Sequence, residues 1–397
     1  MMEFNEQMLS KSMQPLSGSA IRAIFHLLQK PGMISFAGGN PALSALEPDV
    51  IGELAVQALR EYGPNLLQYG GTEGFPLLRQ EIPKFVADAG ISTSPEMVLP
   101  TQGSQQALDL LCKALIDPGD VILVESPTFL GALQTMKTYG AKLVPMPMDE
   151  HGVIPSEVEA LVKAERPKFI YVIPTFQNPT GKTLSLERRK ELARIANEHG
   201  VVLAEDDPYR DLRYAGAPLP AIKSFDENGW VVYLGSFSKL ISPGLRVGYA
   251  IVDIPQLMRK MVIGKQSADV HSPLLNQATV GLYLKQGLMP GHLERICGSY
   301  RAQLDKMLEG LDAWPEGVRY VRPVGGLFVW VELPEGMSAS EMLMEATDRG
   351  VAYVSGTHFY CGGEHDNTLR LNFSNSELPV IEKGMAILGG LMKEKIG

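Results

Sequence analysis

Between about residue 95 and residue 252, short apolar runs without polar alternation take turns with longer segments of helical periodicity. The runs fall at 97–99, 121–125, 142–145, 169–173, 201–205, 231–234 and 246–252, and most are rich in Val, Ile and Leu. Continuous apolar strands of this kind belong to sheets covered on both faces. Segment 104–116 repeats Ala107, Leu108, Leu111, Ala114 and Leu115 at helical spacing, and 184–199 is a second such segment. Strands alternating with helices predict a large α/β domain: a mostly parallel, seven-stranded sheet flanked by helices.

After about residue 280 the pattern changes. A helix is expected over 292–311, opening just after Pro290, then a strand pair within 320–333 broken at Gly325-Gly326. A helix near 340–349, strands at 351–354 and 369–373, and a closing helix from Glu377 complete a smaller α+β domain. A chain of 397 residues exceeds what one simple core supports. The expected division is 1–45, an N-terminal segment joining the small domain, then 46–285, the large domain, and 286–397, the small one.

Composition excludes several classes of function. A net charge of -9 without a basic run disfavours a nucleic-acid partner. Cys112, Cys297 and Cys361 are widely separated and form no CxxC pair, so neither a disulfide framework nor a zinc site is expected. The seven histidines form no HExxH or triad arrangement, although His271 could lie near a site. Glu3 and Glu6 interrupt the N-terminus, and no apolar stretch approaches the roughly 18 residues of a spanning helix. The expectation is a cytoplasmic protein with no membrane segment and no metal.

The motifs with chemical content cluster at predicted strand ends, where open α/β sheets bind ligands. The most specific is Gly235-Ser-Phe-Ser-Lys-Leu-Ile-Ser-Pro-Gly-Leu-Arg-Val-Gly-Tyr249. Ser236, Ser238 and Arg246 can converge on a phosphate, and Lys239 can form an imine with an aldehyde held there. A lone lysine is usually a solvated surface residue; this one is delivered by an apolar strand into a Gly- and Ser-rich turn. Gly103, Ser104 and Gln105 join a strand to a helix, and such a terminus binds anions, although Ser104 alone could be an ordinary N-cap. Asn178-Pro-Thr-Gly181 reads by default as a turn, and a nucleotide loop fails because Phe176 stands where glycine is required. Arg370, in Leu369-Arg-Leu-Asn-Phe-Ser374, offers a planar fork suited to a carboxylate.

Taken together, these motifs resemble those of the fold-type I, class I/II aminotransferases over nearly the whole chain, and within them the 2-aminoadipate/aromatic aminotransferase-like subgroup. The resemblance implies pyridoxal 5′-phosphate (PLP) carried on Lys239 as a Schiff base, with a phosphate site at Gly103, Ser104, Gln105, Ser236, Ser238 and Arg246. It implies that Asp206 pairs with the pyridinium nitrogen, with Glu205 and Asp207 as alternative carboxylates. Asn178 and Tyr209 would bond the phenolic oxygen, and Phe129 would stack on the ring. Tyr69 would reach the phosphate of a neighbouring subunit, which implies a homodimer with shared sites. Arg370 would grip the substrate α-carboxylate under a glycine turn at Gly38 and Gly39, and Arg22 resembles an arginine used toward an acidic side chain. A solvated helical arginine is an equal reading of Arg22.

The expected activity is transamination from an L-amino acid to a 2-oxo acid, 2-oxoglutarate being the family's usual acceptor. Lys239, Asp206 and Tyr209 are the expected catalytic residues. A PLP-dependent β-lyase or decarboxylase on the same scaffold is the alternative; Arg370 speaks against decarboxylation, since it would hold a carboxylate that stays. A non-catalytic PLP-binding regulator is disfavoured, because site motifs beginning by Gly38 leave no room for an N-terminal winged helix.

Overall fold

The computed structural model describes residues 5–14, 16 and 32–396. Seven strands form the large sheet: β1 (Val98–Thr101), β2 (Val121–Glu125), β3 (Lys142–Met146), β4 (Phe169–Val172), β5 (Val202–Asp206), β6 (Val231–Ser236) and β7 (Gly248–Ile251). Their order is β1-β7-β6-β5-β4-β2-β3, with β7 antiparallel to both neighbours and the other pairings parallel.

Burial explains the unbroken apolar runs. Ile122, Val124, Phe169, Tyr171, Val202 and Ala204 pack into one buried cluster, while Leu123, Ile170, Val172, Leu203 and Val231 pack into another on the opposite face. Successive side chains of a strand alternate faces, so a sheet covered on both sides needs apolar residues at every position. Helices Pro155–Glu165 and Leu186–His199 cover the second face, the latter capped by Ser185, whose hydroxyl accepts from the Arg188 N–H. Ser104–Leu115 follows β1 and packs on helix Pro255–Asp269.

Four further strands make an antiparallel sheet: β8 (Arg319–Tyr320), β9 (Phe328–Glu332), β10 (Val354–Ser355) and β11 (Thr368–Asn372), in the order β8-β9-β11-β10. Helices Met289–Asp312 and Leu378–Ile396 pack together beside it. The single strand expected over 351–354 is divided. Val351–Ala352 pairs in parallel with Ile34–Ser35, whereas Val354–Ser355 pairs with β11. The change of partner falls at Tyr353, whose hydroxyl donates to Ala339 O at 2.6 Å. The N-terminal segment continues along this module, with Asn372 N–H donating to Phe36 O at 2.8 Å. No helix among the described residues is long and apolar enough to cross a membrane.

Candidate active site

The parallel strands β1, β2, β4, β5 and β6 end on one edge of the sheet, and the turns that leave them surround a cavity of about 270 Å³. Gly103, Ser104, Gln105, Phe129, Asn178, Asp206, Tyr209, Ser236, Ser238, Lys239 and Arg246 all line it.

One end of the cavity suits an anion. Gly103 has φ +76°, and a Cβ there would lie 2.8 Å from Arg246 Nη2. A Cβ on Gly248 would lie 2.6 Å from Gly103 Cα. Glycine at both positions lets the β1 turn, the start of β7 and the arginine meet. Arg246 Nη2 donates to Gln102 O at 2.9 Å and Nη1 to Ser238 Oγ at 3.4 Å, while Ser236 Oγ accepts from Ser238 N–H at 3.2 Å. The first N–H groups of helix Ser104–Leu115 have no partner within the helix and face the same corner as two hydroxyls and a guanidinium. The Gln105 side chain is already engaged by Gly131 O and Thr135 Oγ1, so its backbone is the part left for a ligand.

At the centre stands Lys239, whose Nζ donates to Gly39 O at 2.6 Å. Burial pushes this ammonium down to about 8, helped by the positive charges of Arg370 and Arg246. Asp206, at the end of β5, lines the same cavity. Its Oδ2 accepts from Tyr171 OH at 2.7 Å, and its buried Oδ1 has no hydrogen-bond partner. Burial raises this carboxyl to about 6, with the Asp207 charge adding to the rise and the Tyr171 hydroxyl bond opposing it. A buried carboxylate oxygen left unpaired is costly, and a protonated ring nitrogen would satisfy it. Neither neighbouring carboxylate lines the cavity, although Asp207 Oδ1 is likewise buried without a partner. Glu205 accepts from Ile222 N–H and Lys223 N–H, both at 2.8 Å, and Asp207 lies beside Tyr233 OH at 3.4 Å.

Asn178 Oδ1 accepts from Arg370 Nη1 at 2.8 Å, and Arg370 Nη2 donates to Ala37 O at 2.7 Å. Arg370 is buried, and burial lowers its guanidinium to about 10. Tyr209 is buried beside this pair. Gly38 and Gly39 follow the Ile34–Ser35 strand; a Cβ on Gly39 would come within 3.3 Å of the Phe328 ring. Phe129 folds over Gly131, where a Cβ would be 2.5 Å from its ring.

Arg370, Gly38 and Gly39 are not among the residues lining the cavity, although Arg370 bonds Asn178 and Gly39 O accepts from Lys239, both of which line it. Two further expected residues stand apart. Tyr69 is 80% exposed, outside the cavity, with its ring edge-on to His271 at 6.0 Å. Arg22 lies outside the described residues. Sequence reasoning passed over Asn40, Ile173, Pro208 and Pro243, which line the cavity, and Tyr171. Tyr171 carried a usable signal: a tyrosine in a fully buried strand needs a partner for its hydroxyl.

The residues fit the cofactor that the motifs imply. An amine, an anion corner, an unpaired carboxylate oxygen and an amide-phenol pair meet in one cavity, each matching a group of PLP. Comparison with known proteins agrees. The family model "Aminotransferase class I and II" matches residues 31–386. The chain is 43% identical to a 2-aminoadipate transaminase of Thermus thermophilus, over 95% of this chain and 94% of that one. It is 38% identical to an aromatic-amino-acid aminotransferase of Thermococcus litoralis, over 98% and 95%. The crystal structure of a Thermus thermophilus α-aminoadipate aminotransferase complexed with N-(5′-phosphopyridoxyl)-L-leucine superposes with a TM-score of 0.91, at 40% identity and 98% coverage of both chains.

Proposed function

This chain belongs to the aminotransferase class I and II family and is a PLP-dependent transaminase, and from that premise we propose the roles of its residues and the class of its substrates. The observation that carries the assignment is Lys239 Nζ facing a cavity in which Asp206 Oδ1 is buried and unpaired.

Bound PLP supplies an aldehyde that joins amines covalently and a ring that draws electrons from the amine-bearing carbon. Lys239 would hold it through Nζ and, when that amine is free, would carry the α-proton; burial, with Arg370 and Arg246 nearby, disfavours its ammonium form and so favours the neutral amine that accepts a proton. Asp206 keeps the ring nitrogen protonated through Oδ1, while Tyr171 fixes the carboxylate through Oδ2. Asn178 and Tyr209 bond the phenolic oxygen, and Phe129 stacks on the ring. Gly103, Ser104, Gln105, Ser236, Ser238 and Arg246 hold the phosphate. Arg370 binds the substrate α-carboxylate, with Gly38 and Gly39 closing over it. A carboxylate held this way stays on the substrate, which favours transamination over decarboxylation.

The donor we propose is an amino acid with a long acidic or an aromatic side chain, and the acceptor 2-oxoglutarate. The names of the relatives support the first. The second rests on the family resemblance. The same reading makes the protein a cytoplasmic homodimer in which Tyr69 reaches the partner's phosphate site; its exposure fits that role. It divides the chain at 45/46 and 285/286, supported by the pairing of Ile34–Ser35 with Val351–Ala352.

The test is a panel of amino acids incubated with the holoenzyme and 2-oxoglutarate, with glutamate measured. Glutamate from acidic or aromatic donors is expected; pyruvate and ammonia without glutamate would make the protein a lyase. Lys239→Ala should lose the borohydride-stable attachment of PLP, and its retention would overturn the assignment of Lys239.

A further inference from the structure

Arg370 is a buried cation with an unusual set of neighbours. Among the described residues no carboxylate pairs with it; its recorded partners are Asn178 Oδ1 and Ala37 O, and its Nε has none. A buried charge ordinarily needs a counter-charge. Here two aromatic rings stand where that counter-charge is missing. The guanidinium carbon lies 4.1 Å from the centre of the Phe328 ring and 4.9 Å from that of Phe359.

Both rings are placed by the small sheet. Arg370 on β11 stands opposite Trp330 on β9 in the antiparallel register. Phe328, two residues from Trp330, is therefore a diagonal neighbour on the same face, within reach of a long side chain. Phe359 ends the short 3₁₀ turn Gly356–Phe359 that follows β10, and its ring meets Trp330 edge-on at 5.8 Å. Phe328 also meets Tyr209 edge-on at 5.9 Å and closely underlies Gly39.

We propose that Phe328 and Phe359 are positioning residues that stabilise the charge of Arg370 through their ring faces and so leave its N–H edge open for the substrate carboxylate. The proposal rests on the reading of Arg370 as the carboxylate-binding residue. The physical reason lies in geometry. A carboxylate partner would accept the same in-plane N–H groups that the substrate requires. A π face attracts the cation from above the plane and accepts none of them in a bidentate contact. A guanidinium has five N–H donors; the bonds to Asn178 and Ala37 take one each, and the buried Nε–H has no partner, so no carboxylate among the described residues occupies the in-plane donors.

The experiment uses the holoenzyme and follows the half-reaction with L-glutamate as probe, reading the KM and the maximal rate separately along with the PLP dissociation constant. Variants Phe328→Leu and Phe359→Leu keep much of the apolar volume and remove the ring. Each is expected to raise the KM roughly two- to thirty-fold, the range of one cation–π contact, with maximal rate and PLP affinity changed less than threefold. Phe328→Tyr retains a ring and is expected to stay near the wild-type KM. Arg370→Lys is expected to raise the KM more than tenfold. If Arg370→Lys leaves the KM unchanged, the carboxylate reading fails and the ring proposal with it. If Arg370→Lys raises it but the leucine variants do not, or if Phe328→Tyr is as impaired as Phe328→Leu, the ring proposal alone is overturned.

Discussion

Asp206 shows how a single residue can be held ready at a cost to the fold. Its Oδ1 is buried without a partner, and burial lifts its carboxyl to about 6 from an ordinary 3.8. The folded chain therefore binds this proton more tightly than the unfolded chain, so stability falls as pH rises from 3.8 to about 6. That shift corresponds to roughly 2–3 kcal/mol, present as a penalty at neutral pH in the apoenzyme. Asp206→Asn removes the charge and keeps a hydrogen-bonding group for Tyr171. The apo variant should therefore melt above apo wild type at pH 7, the gap closing toward pH 4. Addition of PLP should raise the melting temperature of the wild type far more than that of the variant. A variant no more stable than wild type at pH 7 would contradict the penalty.

Lys239 makes the complementary case. Its ammonium is disfavoured by burial and by two guanidinium groups, so the neutral amine is present above about 8 and lost below it. Capture of PLP by the apoenzyme, quenched with borohydride and read by mass, should slow about tenfold per pH unit below that point. A rate still rising steeply above pH 9 would place the amine at an ordinary lysine value.

At the scale of elements, the turn between β1 and helix Ser104–Leu115 depends on Gly103. Its φ of +76° strains any side chain, and a methyl group there would press on the Arg246 guanidinium. Gly103→Ala is expected to destabilise the apoenzyme by about 1–2 kcal/mol and to weaken PLP binding at least tenfold, measured by melting and by titration. The turn is also tied down from behind: Gln102 Nε2 and Gln106 Nε2 both donate to Asp269 Oδ2 at 2.7 Å, and buried Lys265 bonds the same carboxylate. The elements of the large domain were legible in the sequence because an apolar run covered on both faces has little other use. β2 runs over Val121–Glu125 as read, and β5 is displaced by one residue. The site was legible where its residues are close along the chain, as from Ser236 to Arg246. Tyr171 and Phe328 escaped because their positions follow from strand register across β4–β5 and β9–β11, and Phe359 because its turn after β10 reaches Arg370 only in the folded sheet, which no local pattern records. The division of 351–354 between two sheets escaped for the same reason: partner choice is a tertiary property.

At the scale of the whole molecule, Tyr69 raises the question of where the site ends. An 80% exposed tyrosine flanked by Leu67 at 75% exposure is poorly explained in a single chain. If its hydroxyl completes the phosphate site of a second copy, each site takes Lys239 from one subunit and Tyr69 from the other. Subunit mixing tests this directly. Lys239→Ala and Tyr69→Ala subunits are each impaired as homodimers. In a mixed dimer, one site combines both lesions and the other has neither. Co-expression with distinguishable tags, followed by isolation of the mixed species, should therefore recover about half the wild-type activity per dimer, as expected of sites shared across a two-fold interface. Were Tyr69 to act within its own chain, every site of the mixed dimer would carry one lesion and no activity would return.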